Sequence, residues 1–135
     1  MTSMPVARSR WIVVALATLA GCVTQRQSSL DLLNAQPAQE YRGHYTVGER
    51  GSWFRACDAA ESEAPRWVTV TGDAVAKLDA ARREGKLVDD RPSYVHWRAV
   101  LTRGGEVGPP GSTALLVREV LTIRPSAGAT DCLQR

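Results

Sequence analysis

The chain predicts a mainly β domain with one helix, built as a small five-stranded barrel behind an export signal and a flexible tether. Three observations carry this. Between Tyr41 and Arg124, short segments alternate apolar and polar residues, which is the period-2 signal of half-buried strands. One segment alone, Gly72 to Glu84, has helical spacing. Before residue 40 the composition changes to an apolar run, a cysteine, and then a stretch rich in Gln, Ser and Asn.

Residues 1–21 read as a signal peptide. Arg8 and Arg10 give a positive start, and Trp11 to Ala17 is apolar and closes on small residues, the order an export signal requires. The apolar run is about ten residues, against roughly twenty for a membrane-spanning helix. It ends in Leu19-Ala20-Gly21-Cys22, which resembles the lipobox of bacterial lipoproteins. The resemblance implies cleavage between Gly21 and Cys22, diacylation of the Cys22 thiol, and acylation of the new amine. Two or more chains anchor stably where one is marginal, at ~0.8 kcal/mol per buried CH₂. The membrane is therefore an expected partner. The residue after the cysteine is Val23 rather than Asp. By the same resemblance this implies the outer membrane, facing the periplasm. Residues 22–39 form a lipidated tether. Within it, Leu30, Leu32 and Leu33 could make one helical turn.

From residue 40 to 135 the chain reads as one domain. Tyr41, Gly43, Tyr45 and Val47 alternate with Arg42, His44 and Thr46 as a first strand. Gly48 to Gly51 is a turn, and Ser52 to Cys57 the return strand. Asp58 to Pro65 is an acidic loop, and Arg66 to Thr71 a β-branched third strand. In the helix, Thr71 or Asp73 can serve as N-cap. Val75, Leu78, Ala74 and Ala81 form a narrow apolar stripe, Asp73 and Lys77 form an i,i+4 pair, and Gly85 suits a left-handed stop. Tyr94 to Thr102 is a fourth strand, with Val95, Trp97, Ala99 and Leu101 on one face and Tyr94, His96, Arg98 and Val100 on the other. Gly104 to Gly111, with four glycines and two prolines, is a loop. Ala114 to Arg124 is the last strand. Its apolar residues keep no single parity, which predicts a bend or bulge that moves it between neighbours.

Removing the first 21 of 135 residues leaves a chain suited to one small core. The 17 basic side chains of the full chain fall to 15 once Arg8 and Arg10 depart, against 14 acidic ones. So little charge gives no support to a nucleic-acid partner. Three cysteines are an odd number for an exported chain. Consumption of Cys22 by lipid leaves Cys57 and Cys132, and an oxidising envelope makes that pair a disulfide. It would close a loop of about 76 residues, worth roughly 4–5 kcal/mol in the chain-entropy model. The alternative is two free thiols or metal ligands, but neither cysteine has a Cys-x-x-Cys neighbour.

The order strand, strand, strand, helix, strand, strand matches the small OB-like Greek-key barrel. The competing architecture is a flat sheet with one helix packed on it. Trp53-Phe54-Arg55-Ala56-Cys57 and Leu116 to Leu121, followed by Cys132, resemble small proteobacterial lipoproteins of uncharacterised function. They are also similar to the OB-like domain of the envelope-stress lipoprotein NlpE family. The resemblance implies fold and address. The Cys-x-x-Cys of that family's other domain is absent, so copper sensing does not carry over.

Chemistry-bearing motifs are sparse. His44 and His96 would need a third ligand, such as Asp89, Asp90 or Glu119, to hold a metal, and no metal or cofactor is expected. No Gly-x-Ser-x-Gly, His-Glu-x-x-His or phosphate loop occurs, so the chain is not read as an enzyme. Asp89-Asp90, beside Arg91-Pro92, reads as a solvated turn. The aromatic residues are more informative. Tyr45, Trp53, Trp67 and Trp97, interleaved with Arg42, Arg55, Arg66 and Arg98, form a candidate recognition surface of the kind that binds sugars or partner chains. The alternative is that they are core. The expected function is a membrane-anchored interaction or scaffold module acting on an envelope protein or glycan; the alternative is a small-ligand or metal-binding envelope lipoprotein.

The lipobox generates a direct test. Cys22→Ser is expected to abolish lipidation and leave a larger precursor on a gel. Unchanged processing and membrane fractionation would contradict the assignment.

Overall fold

The computed structural model describes residues 35–103 and 108–133. The segments expected to be the signal peptide, the lipobox with Gly21 and Cys22, and the tether through residue 34 lie outside the described residues, as does the first half of the loop expected at Gly104 to Gly111.

Strands β1 (Gln39–Gly48), β2 (Gly51–Ala56) and β3 (Arg66–Val70) precede helix α1 (Asp73–Arg83). Strands β4 (Ser93–Arg103) and β5 (Thr113–Pro125) follow, and a 3-10 helix, Ala129–Leu133, ends the fold. The strands close into a barrel in the order β1-β2-β3-β5-β4. Every neighbouring pair is antiparallel except β3 and β5, which run parallel. Parallel neighbours need a long crossover, and α1 with β4 supplies it. The closed barrel rules out the flat sheet.

Pleating sends alternate residues inward. On β1 these are Gly43 and Tyr45, on β2 Phe54, and on β4 Val95, Trp97 and Ala99, all buried. Trp97 is the centre of the core. Its ring lies 5.0 Å from Tyr45 and 5.2 Å from Phe54, both inclined rather than stacked flat, and each such pair is worth about 0.5–1.5 kcal/mol beyond its burial. Its Nε1–H is buried without a hydrogen-bond partner among the described residues. A Cβ on Gly43 would stand 2.1 Å from the Arg55 carbonyl oxygen and 2.8 Å from the Phe54 ring, so glycine here lets both the backbone of β2 and the Phe54 ring approach β1 closely.

The alternation expected for β4 breaks at its end. Ala99 and Val100 are both buried, while Leu101 is 45% exposed. The register with β5 shifts between Arg98 and Ala99, and a shift of that kind alters twist and re-aims side chains. The irregular β5 has the expected bulges, with Leu121 and Arg118 as its extra residues. Its neighbours differ from the expectation. It keeps β4 along its whole length and pairs with β3 only from Ala114 to Val117; beyond that point α1 lies against it.

Three details of α1 also differ. Its N-cap is Gly72, at φ 57°, with no side-chain cap. Thr71 is unavailable because both its N–H and its hydroxyl donate to the Val117 carbonyl. Lys77 donates to the Val120 carbonyl at 2.8 Å rather than pairing with Asp73, covering backbone where β5 has lost β3. Val75 points out, 45% exposed, and the buried face is Ala74, Leu78 and Ala81.

The C-terminal tail is fastened to β1, β2 and β5. Asp131 is buried. Its carboxylate accepts hydrogen bonds from His44 Nε2 on β1, Arg124 on β5, the Ser126 hydroxyl and the Ala127 N–H. The Arg124 guanidinium also lies 4.4 Å over the Tyr94 ring, a cation–π contact. Beside it, Cys132 is paired with Cys57 at the end of β2, with Cα atoms 5.3 Å apart, inside the range a disulfide needs. The tail is thus tied to β1, β2 and β5.

Burial alone would raise the Asp131 pKa, but the four donors outweigh it and hold the carboxyl well below the usual range. A folded-state value below the unfolded one stabilises the protein above the unfolded pKa of about 4, and the stabilisation is lost as pH falls below it. Asp131→Asn is therefore expected to cost about 2–3 kcal/mol at neutral pH and to flatten the loss of stability between pH ~5 and pH ~2. Denaturation midpoints across that range would test it; an unchanged acid slope would refute it. Replacing Cys57 or Cys132 by Ser is expected to cost about 2–5 kcal/mol. Wild type in reductant should then match the variants, and equal midpoints in all four conditions would show that the bond contributes nothing.

Candidate functional site

Trp53 and Trp67 stand directly opposite each other across β2 and β3. Residues opposite each other share a face. Phe54 points inward, so Trp53, and Trp67 with it, face outward. Both are half-buried, and each ring lies close against glycine backbone. A Cβ on Gly48 would stand 2.6 Å from the Trp53 ring, and one on Gly51 would stand 2.5 Å from the Trp67 ring. A Cβ on Gly108, in the β4–β5 loop, would stand 2.9 Å from the base of the Trp67 side chain. Three glycines thus make room for two indoles, and Gly51 also adopts φ 140°, a conformation that side-chain-bearing residues rarely take.

The α1–β4 loop closes one side. Asp90 has φ 62°, a left-handed conformation that Asp tolerates better than most residues. Its N–H donates to the Val47 carbonyl at 2.8 Å, docking the loop on the end of β1. The result is a cleft of about 410 Å³, lined by Trp53, Trp67 and Pro65 and rimmed by Glu49, Arg50 and Asp90. Its volume is that of a small-molecule site, and it combines an apolar floor with a few polar groups.

The four expected recognition residues therefore divide. Trp53 and Trp67 share this cleft. Tyr45 and Trp97 do not reach it and are removed from the recognition set: they are 4% and 0% exposed, because closure of the barrel turns their faces of β1 and β4 inward. The interleaved arginines do not gather here either. Arg66 lies over the Tyr41 ring, Arg55 donates to the Ala60 carbonyl, and Arg98 bridges Glu40 and Glu119; Arg42 is exposed on β1.

The histidines are engaged separately. His44 donates to Asp131, and His96 donates to Glu40 at 2.9 Å. The His96 hydrogen bond, only partly opposed by desolvation, holds the Glu40 carboxyl below its ordinary value, and Arg98 adds to the effect. Asp89 pairs with Arg82, and Glu119 with Arg98. Among the described residues no three His, Cys, Asp or Glu side chains are grouped to hold a metal.

The rim residues were not legible as a site. Glu49 and Arg50 read as a turn and Asp90 as a solvated loop. The available signal was Gly48 and Gly51 standing shortly before Trp53, small backbone positions close in sequence to a large ring. Asp131 carried no sequence signal at all. Comparison of the chain with family models, with curated proteins and with solved structures gave no match.

Proposed function

We propose that this chain is a lipid-anchored bacterial envelope lipoprotein whose domain is an OB-like Greek-key barrel acting as a recognition module, with the Trp53–Trp67 cleft as its contact surface. The address rests on the Leu19 to Cys22 pattern and on the cysteine parity it resolves. The OB-like reading rests on the strand order and on the single helix between β3 and β4. In such barrels the face of the second and third strands, with the flanking loops, is where ligands bind. Here that face carries the two outward tryptophans, and the β1–β2 turn borders it.

The cleft is the observation that carries the proposal. Two large apolar rings are held half-exposed against glycine backbone on the outer face of the barrel. Aromatic rings with a wet edge and an apolar face are favoured contact groups. The metal-binding alternative gains nothing from this geometry, since His44 and His96 are tied to different carboxylates.

A photo-crosslinker at Pro65, on the cleft, is expected to capture an envelope component in intact cells, whereas one at Thr122, exposed on β5, is not. Trp53→Ala with Trp67→Ala should lower the Pro65 adduct at least fivefold without altering membrane fractionation. Equal labelling from both positions, or an adduct indifferent to the tryptophans, would refute the reading.

A further inference from the structure

We infer that the cleft takes a neutral pyranose ring of a glycan chain; this rests on the recognition reading above and names its ligand class. The floor is two indoles, Trp53 and Trp67, each backed closely by glycine, so the rings are presented with little freedom to turn aside. A sugar ring offers what such a floor needs: a face of C–H bonds to lie on the indole and hydroxyls around its edge. The edge would meet Glu49, Arg50 and Asp90, all exposed at the rim. None of the three side chains makes an ion pair or hydrogen bond among the described residues.

The donor and acceptor character of the rim narrows the choice. Ionised carboxylates only accept hydrogen bonds and a guanidinium only donates. A ligand that satisfies Glu49, Asp90 and Arg50 together must therefore both donate and accept, as a hydroxyl does. A nucleic acid would bring phosphates, which are bound by clustered Lys and Arg, to a rim with two acids and one base. A peptide added as a strand needs a free sheet edge, and at the tryptophans β2 and β3 are paired with each other, with β1 on the far side of β2. A proline-rich peptide would stack on the indoles, but its prolines have no N–H to donate and would leave both carboxylates without a partner. The cleft volume of about 410 Å³ lies at the lower end of ligand sites, suiting a short stretch of chain rather than a folded surface.

The test uses intrinsic fluorescence of the full mature chain in detergent. Trp11 leaves with the signal, and Trp97 is buried, so Trp53 and Trp67 report on the cleft. The probes are chitohexaose, maltohexaose, a proline-rich decapeptide and a ten-nucleotide oligothymidylate. At least one of the two neutral oligosaccharides is expected to shift the emission saturably and to protect it from acrylamide quenching. Its affinity should change less than twofold between 0.05 and 0.5 M salt. Trp53→Phe and Trp67→Phe keep an aromatic ring for folding and should weaken binding severalfold. Glu49→Gln with Asp90→Asn, which retains a side chain tolerant of the Asp90 backbone, should weaken it at least fivefold while the circular dichroism stays unchanged. Saturation by the peptide or the oligothymidylate in place of both sugars would overturn the inference, as would sugar binding indifferent to these substitutions, or no binding of either sugar. If the tryptophan-dependent Pro65 adduct persists while both sugars fail, the ligand class falls and the recognition reading stands. If the adduct is lost as well, both fall.

Discussion

Closure of the barrel through the parallel β3–β5 pair is the constraint on which the other features depend. A five-stranded sheet this small has, among the described residues, only one short α-helix to add to its core, so it must curl until most of its inner face covers itself. Once it does, there are two kinds of aromatic position. Those on the inner parity, Tyr45, Phe54 and Trp97, pack ring on ring. Those on the outer parity of β2 and β3, Trp53 and Trp67, have no core to enter. Closure also explains α1. The strand β5 loses β3 after Val117, and the exposed backbone beside Val120 is met by Lys77 from the helix. An edge left bare there would invite pairing with another chain.

The tail solves a second problem, that of stability in a small domain. The core is limited by size, and the chain adds a covalent tie and a buried ionic one side by side. Asp131 is inexpensive to bury because its lone pairs meet four donors, one of them cationic; an unpartnered carboxylate in that place would be strongly destabilising. The two ties reinforce each other. The disulfide holds Cys132 against β2 and so keeps Asp131 within reach of His44 on β1. In turn, the Asp131 network orders Ser126 to Leu133, so that Cys132 meets Cys57 without searching.

The cleft stands in contrast to the tail. At the tail, polar side chains are saturated with partners; at the cleft rim, Glu49, Arg50 and Asp90 have none among the described residues. Backbone is spent on exposure there: three glycines and one left-handed Asp accommodate rings that remain half in solvent. That combination, apolar rings packed against backbone yet left half in solvent, is what supports the proposed reading of the cleft as a contact surface.

Much of the fold was legible in the chain. Strand boundaries, the helix and the bulged β5 follow from alternation, turn residues and broken parity, because these are local consequences of pleat and backbone geometry. The pairing of Cys57 with Cys132 followed from counting once Cys22 was set aside. Other features required the tertiary structure. Whether an aromatic residue is core or surface depends on which face of its strand the closed barrel turns inward, and for Tyr45 and Trp97 as against Trp53 and Trp67 the local patterns are alike. The cap of α1 passed to Gly72 because Val117, distant in sequence, claims Thr71. The burial of Asp131 depends on His44 and Arg124, residues on two other strands. A side chain's neighbours across the sheet are set by register and closure, and neither is written in the residues around it.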